Sequence, residues 1–140
     1  MILYQLSIGL LAIAVTVTIH ASFMIAAIGP FRHYVPGATT YFSKALIIVI
    51  VVLWFFLSTC IQCWFWSGLL LWLKALGSFE EALYFTTVTF STLGYGDSVL
   101  GPKWRLLGAF AATNGTIIIG WTTAMIFVAV QRVFEFRSRL

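Results

Sequence analysis

Residues Ser78–Asp97 read SFEEALYFTTVTFSTLGYGD. Ser78 with Glu81 three positions on has the form of a capping box, S-x-x-E, which predicts a helix starting at Phe79 and running to Phe90. Glu80 and Glu81 fall in its first turn, where the positive end of the helix dipole favours carboxylates. A helix over 79–90 is about 18 Å long, well short of the ~30 Å hydrocarbon core of a bilayer. Behind it, Thr92-Leu93-Gly94-Tyr95-Gly96 sets two glycines around a tyrosine. Glycine takes left-handed backbone angles that Leu or Tyr resist. Alternating such angles with ordinary ones turns successive carbonyls to one side.

The rest of the chain says where this stretch lies. Of the 140 residues, 61% are hydrophobic and only 9% are charged, against about 25% charged in soluble domains. Apolar runs long enough to span a bilayer cover Ile2–Gly29, Ala45–Leu73 and Leu106–Val130. The short helix sits between the second and third runs, so it enters the membrane and turns back. Irregular backbone at membrane depth survives only where protein buries it or where it lines a water-filled path. A row of carbonyls repeated around an axis can replace the hydration shell of a monovalent cation. The Thr92 hydroxyl adds one more oxygen at the inner end, while Leu93 and Tyr95 pack behind the strand. One chain supplies one such strand, so several chains must surround the path.

TLGYGD resembles the selectivity-filter signature of the potassium channel pore-loop family, whose usual form is TVGYG. Around it, Glu81–Thr92 is similar to a pore helix, Ala45–Leu73 to an outer helix and Leu106–Val130 to a pore-lining inner helix. The whole resembles small bacterial ion-channel proteins with one extra transmembrane helix before the two-helix pore module. The resemblance implies an all-α membrane protein of three transmembrane helices plus a re-entrant helix and filter loop, assembled as a homotetramer. It divides the chain into an extra helix and loop over 1–44 and a pore domain over 45–140, with the outer helix at 45–73, pore helix at 79–90, filter at 92–96 and inner helix at 105–134. It implies passive, potassium-selective conduction, with K⁺ held at the carbonyls of Thr92, Leu93, Gly94 and Tyr95 and the strand closed by Gly96. The permeant ion is then the only ligand, no cofactor is expected, and the partners are copies of the same chain and membrane lipid. Asp97 stands at the outer mouth, either as part of a carboxylate ring that concentrates cations or as a hydrogen-bond acceptor behind the filter. Tyr84 and Phe85 are expected to form an aromatic cuff. Two positions depart from the family pattern: Leu93 replaces the usual Val, and Val88 stands where some relatives carry a Glu, so it cannot titrate or pair with Asp97.

In the third run, Gly108, Ala111, Ala112 and Gly115 align small residues for close helix approach. Gly115 falls where related channels have a hinge glycine, with Gly120 as the rival position. Thr116, Ile119, Thr123 and Phe127 recur at helical spacing and are expected to line the cavity. Phe127 is the candidate for a hydrophobic constriction that gates by dewetting. Asn114 and Trp121 then face other helices.

Several features carry less. Gly29-Pro30 is expected to stop the first helix and Pro36-Gly37 to mark a turn. Trp64, Trp66 and Trp72 fit an interfacial belt, with Trp54 deeper as a packing residue. His20 is expected to be a neutral histidine hydrogen-bonded between helices, near Thr16 or Thr18. Cys60 and Cys63 lie inside an apolar run without the further ligands that a zinc site requires.

The net charge of +4 requires no nucleic acid, because basic loops orient membrane helices. Arg32, Lys44, Arg132, Arg137 and Arg139 are expected to place the first loop and the C-terminus in the cytoplasm, with the N-terminus outside; the resemblance implies that the membrane is a bacterial inner membrane. The acidic and histidine residues form no catalytic constellation, so an enzyme is not expected. Two alternatives remain: a weakly selective monovalent cation channel, and a non-conducting membrane adaptor that retains the fold.

Overall fold

The computed structural model describes residues 2–35 and 40–135, with the side chains of Arg32 and Glu135 excepted. Four helices follow in order: α1 (Ile2–Tyr34), α2 (Tyr41–Trp72), α3 (Phe79–Phe90) and α4 (Arg105–Glu135), with no strand among the described residues. Three of them, α1, α2 and α4, are long and apolar enough to cross a membrane. The molecule is therefore an all-α membrane protein in which the short α3 is folded in beside the long helices. Pro36-Gly37, Arg137 and Arg139 lie outside the described residues.

Each helix boundary has a local cause. α2 begins four residues earlier than the apolar run, because Thr40 caps it. The Thr40 hydroxyl accepts the Ser43 N–H, and the Thr40 N–H is donated to Ser43 Oγ, each at 3.2 Å. α3 starts at Phe79 with Ser78 Oγ accepting the Glu81 N–H at 3.1 Å. Only half of the expected box forms, since the Glu81 carboxylate takes the Gly77 N–H at 3.2 Å instead of that of Ser78. α1 does not stop at Gly29-Pro30 and runs on to Tyr34 through Pro30. A proline so near a helix end removes one backbone bond and leaves the last turn intact, with the Val35 N–H still reaching Phe31 O at 3.2 Å.

The buried face of α1 is the reverse of a soluble helix. Gln5, Gly9, Ala12, Thr16 and His20 are its buried positions, spaced at three and four residues along one side. The long aliphatic side chains, Leu3, Leu10, Leu11 and Ile25, point outward. In lipid no hydrophobic force drives helices together, so small and polar residues take the contact and apolar ones face the acyl chains. This stripe seats α1 against α2 and α4 of its own chain. Gln5 Nε2 donates to Lys103 O at 2.8 Å, and Asn114 Nδ2 on α4 donates to Thr16 Oγ1 at 2.7 Å. Gly9 lies so close to α4 that a Cβ there would stand 2.6 Å from the Phe110 ring.

The core gathers where α3 meets α2 and α4. Trp66 and Leu70 of α2, Ala82 and Phe90 of α3, and Leu107 and Ala111 of α4 are all buried in one cluster. Trp66 therefore departs from the expected interfacial belt: it is fully buried, while Trp64 and Trp72 stay exposed. Its place on the face of α2 that meets α3 decides this. Trp54 does pack, as its position suggests, with its Nε1–H donated to Phe23 O at 2.9 Å and its ring 4.8 Å from that of Phe23.

Candidate functional site

The loop after α3 is shaped by how that helix ends. Ser91 is its C-cap. The Thr92 N–H bonds to Thr89 O at 3.2 Å, and the Leu93 N–H reaches back to Val88 O at 3.1 Å. This pair of bonds is a Schellman closure, which places the residue after the cap in the left-handed region. That residue is Thr92, at φ +60°. Gly94 at +55° and Gly96 at +80° follow, while Leu93 and Tyr95 between them do not have positive φ. The Gly94 N–H also bonds to Val88 O, at 3.3 Å. The backbone thus alternates in hand from Thr92 to Gly96. A Cβ on Gly94 or Gly96 would meet nothing within 4 Å, so within one chain these glycines serve the angle and not the space. Leu93 and Tyr95 are 54% and 69% exposed on the single chain.

Asp97, at the end of this strand, is held from α3. The Tyr84 hydroxyl donates to Asp97 Oδ2 at 2.6 Å, and Asp97 Oδ1 accepts the Ser98 N–H at 3.1 Å. The Tyr84 hydrogen bond holds the Asp97 carboxyl below its usual range. The same hydrogen bond to Asp97 raises the Tyr84 phenol. Of the two aromatics expected to form a cuff, Tyr84 faces the loop. Phe85 is buried in the core, its ring tip beside Gly108 and Leu100. Val88 contributes its carbonyl, which anchors the loop N–H groups already named and accepts the Ser91 hydroxyl at 3.1 Å. A polar tie also joins the helices behind the loop, with Ser67 Oγ donating to Thr86 Oγ1 at 3.3 Å.

On α4, Thr116, Ile119, Thr123 and Phe127 are all exposed, on the side away from buried Ala111, Asn114 and Ile118. The hydroxyls of Thr116 and Thr123 are donated to the carbonyls of Ala112 and Ile119, one helical turn back. This hides their polarity and leaves their methyls outward. Gly115 and Gly120 differ sharply. A Cβ on Gly115 would lie 2.5 Å from the Phe90 Cα and 2.8 Å from its carbonyl oxygen, whereas one on Gly120 would meet nothing within 4 Å. Gly115 is thus where α4 crosses the end of α3, directly below the loop.

His20 is buried among three helices. Its Nδ1 lies 3.2 Å from Ser58 Oγ and 3.3 Å from Gln62 Nε2, both on α2, and its Nε2 lies 3.4 Å from Thr122 Oγ1 on α4. The rings of Trp121 and Phe55 stand 5.0 and 5.5 Å away. The bonds run between helices, as expected, and neither Thr16 nor Thr18 takes part in them. Residues two apart on a helix do not face each other, and Thr18 turns outward to bond Ala14 O at 2.8 Å. Cys60 and Cys63 are both free. Sequence reasoning missed Thr92 as a left-handed residue and, for His20, missed Ser58, Gln62 and Thr122 as the partners on the other helices. The buried stripe on α1 was its available signal, since polar residues at helical spacing inside an apolar run mark an interior face.

Residues 48–132 match the model of a family described as ion channel, from the lower part of α2 through nearly all of α4. No curated protein and no solved structure matches the chain.

Proposed function

Because this chain belongs to the ion channel family, we propose that it is a potassium-selective channel, a homotetramer whose filter is the backbone of Thr92–Gly96. The alternation of hand at Thr92, Gly94 and Gly96 carries the reading. It is the backbone pattern that aims consecutive carbonyls toward one line, and four such strands around an axis offer K⁺ a substitute hydration shell. The Thr92, Leu93, Gly94 and Tyr95 carbonyls hold the ions, with the Thr92 hydroxyl at the inner end. The exposed Leu93 and Tyr95 side chains are then covered by neighbouring copies. Asp97 contributes negative charge at the mouth and braces the strand through Tyr84, so its two expected roles are compatible.

Below the filter, the partial negative end of α3 stabilises a cation in mid-membrane. Thr116, Ile119, Thr123 and Phe127 line the cavity, and Phe127 forms the constriction. Gly115, clasped against Phe90, acts as a packing residue, which leaves Gly120 as the hinge. The N-terminus and filter lie outside, with the C-terminus in the cytoplasm of a bacterial inner membrane.

Flux into vesicles tests the proposal. Purified protein should pass K⁺ far faster than Na⁺, barium should block it, and Thr92 or Gly94 substitution should remove the difference. Equal K⁺ and Na⁺ flux would favour a weakly selective cation channel. No flux in any lipid or at any pH would favour a non-conducting adaptor. Four subunits per particle in detergent is the independent expectation for the assembly.

A further inference from the structure

At the end of the bundle where α2 finishes and α4 begins, the first residues of α1 close a cavity of about 480 Å³. Tyr4 of α1, Trp72, Leu73 and Lys74 at the close of α2, and Lys103 and Trp104 before α4 line it. Its volume falls in the range of small-molecule sites, about 300–1,000 Å³. Tyr4 lies outside residues 48–132, so one wall belongs to the helix that the family match does not reach.

Two ammonium groups and no carboxylate line this cavity. Lys103 Nζ stands 4.9 Å from the centre of the Trp104 ring. That ring lines the same cavity, so the charge is held at its wall, attracted by the ring but not neutralised. Lys74 Nζ has no hydrogen bond or ion pair among the described residues. The carboxylates of the neighbouring loops are engaged or turned elsewhere. Glu81 takes the Gly77 N–H, Asp97 takes the Tyr84 hydroxyl and the Ser98 N–H, and Glu80 is exposed in the first turn of α3. Lys74 also sits where glycine is the usual residue, at the left-handed position that closes α2, with φ +53°. The lysine bears strain there and supplies a charge that glycine lacks.

We infer that this cavity binds the phosphate of an anionic phospholipid from the adjoining leaflet, with Lys74 and Lys103 on the phosphate oxygens. An ammonium on a phosphate makes a charge-assisted hydrogen bond, and basic groups at a membrane surface draw anionic lipid. A zwitterionic lipid carries the same phosphate, but its own cation offsets the attraction. The aromatic rings set the depth. α1 begins at Ile2, α2 ends at Trp72 and α4 begins at Arg105. Tyr4, Trp72 and Trp104 thus stand at the ends of three membrane-spanning helices, at the headgroup level that Tyr and Trp favour. The Tyr4 and Trp104 rings lie 6.5 Å apart. A phosphate held here joins the start of α1 to both helices of the pore module, beside the direct bond from Gln5 Nε2 to Lys103 O.

The test is native mass spectrometry of the intact assembly after reconstitution into vesicles of equal phosphatidylglycerol and phosphatidylcholine and mild extraction. One retained phospholipid per protomer is expected, enriched in phosphatidylglycerol. Lys74→Gln and Lys103→Gln should each lower the enrichment roughly fivefold, and Lys74→Arg should keep it. Both lysines are exposed, so helical circular dichroism and subunit number should not change. Arg132→Gln removes the same charge from an exposed residue in the last turn of α4 and should leave the enrichment intact. No enrichment in wild type overturns the site, as does equal enrichment in wild type and both lysine variants. An equal fall in Arg132→Gln also overturns it, since net charge alone then sets the preference. Inorganic phosphate should displace the lipid no better than chloride of equal ionic strength. Displacement by phosphate alone overturns the lipid as occupant and assigns the cavity to the free anion.

Discussion

Two helices end in the same way, with opposite sequels. α2 closes with the Ala75 N–H on Leu70 O and the Lys74 N–H on Leu71 O, each at 2.9 Å, and α3 closes with Leu93 and Thr92 on Val88 and Thr89. Both closures put a residue other than glycine in the left-handed region, Lys74 at φ +53° and Thr92 at +60°. After Lys74 the chain takes no further positive φ before α3 begins. After Thr92 the change of hand repeats at Gly94 and Gly96. The same backbone device stops one helix and launches a strand from the other. What distinguishes them is the glycine at every second position that follows.

The largest expected effect comes from disturbing the root of the launching turn. Gly115→Ala drives a methyl into the Phe90 backbone, where overpacking costs about 1–3 kcal/mol. The thermal midpoint of the detergent-solubilised protein should fall clearly, and K⁺ flux should be lost. Next comes the repeat itself. Gly94→Ala meets no neighbouring atom within the chain, so its cost is the left-handed angle alone, about 1–2 kcal/mol. Flux and K⁺ preference should collapse while helical content holds. The counterpart after the other turn, Gly77→Ala, would put a Cβ at an ordinary 3.6 Å from the Glu81 carboxylate. It should leave flux unchanged and move stability by less than about 0.5 kcal/mol. Loss of flux in Gly77→Ala would break the contrast between the two turns.

The next effect is a pH profile. Asp97 has its carboxyl lowered by Tyr84, so the stability it contributes is fully present above its ordinary value, about pH 3.9. That stability is lost as pH falls through the lower folded value. Tyr84 is raised, so its contribution is present below about pH 10 and is lost as pH rises through the higher folded value. The tie therefore holds on a plateau and fails on both sides. Tyr84→Phe should flatten both limbs of a plot of filter stability against external pH. Identical profiles in wild type and Tyr84→Phe would show that the bond carries no weight. The smallest effect separates the two left-handed residues. Lys74→Gly removes strain of up to about 1–2 kcal/mol and should raise the thermal midpoint slightly with flux intact. Thr92→Gly removes similar strain and the hydroxyl together, so it should cost K⁺ selectivity.

How much of this was legible in the chain follows from the same contrast. The start of α3 is written in Ser78 and Glu81, and the positive angles of Gly94 and Gly96 in the residue type itself. Thr92 is not legible that way, because a β-branched residue argues against a left-handed angle. Its angle comes from the hydrogen bonds that close α3, which single residues do not announce. Trp66 shows a different limit: three tryptophans near one end of a span look alike until α3 covers one of them. The stripe on α1 is hard to see because it is polar within an apolar helix. A search for an apolar face finds none on a helix that is apolar nearly all round, while the informative residues were Gln5, Thr16 and His20 within it. Pro30 signalled a stop, but membrane helices tolerate a proline that soluble helices would not.

That inward-facing stripe also dictates an order of assembly. α1 leaves the ribosome before α2 and α4, yet its polar groups are completed by residues of both. Ser58 and Gln62 arrive with α2 and satisfy one edge of the His20 ring. Thr122 and the Asn114 that binds Thr16 arrive only with α4. Until then α1 holds a histidine edge and a stripe of small residues against lipid, where unpartnered polar groups are costly. The α1–α2 hairpin is thus a half-finished intermediate whose open side fits α4, so the helix made after both is the one that locks α1 in place.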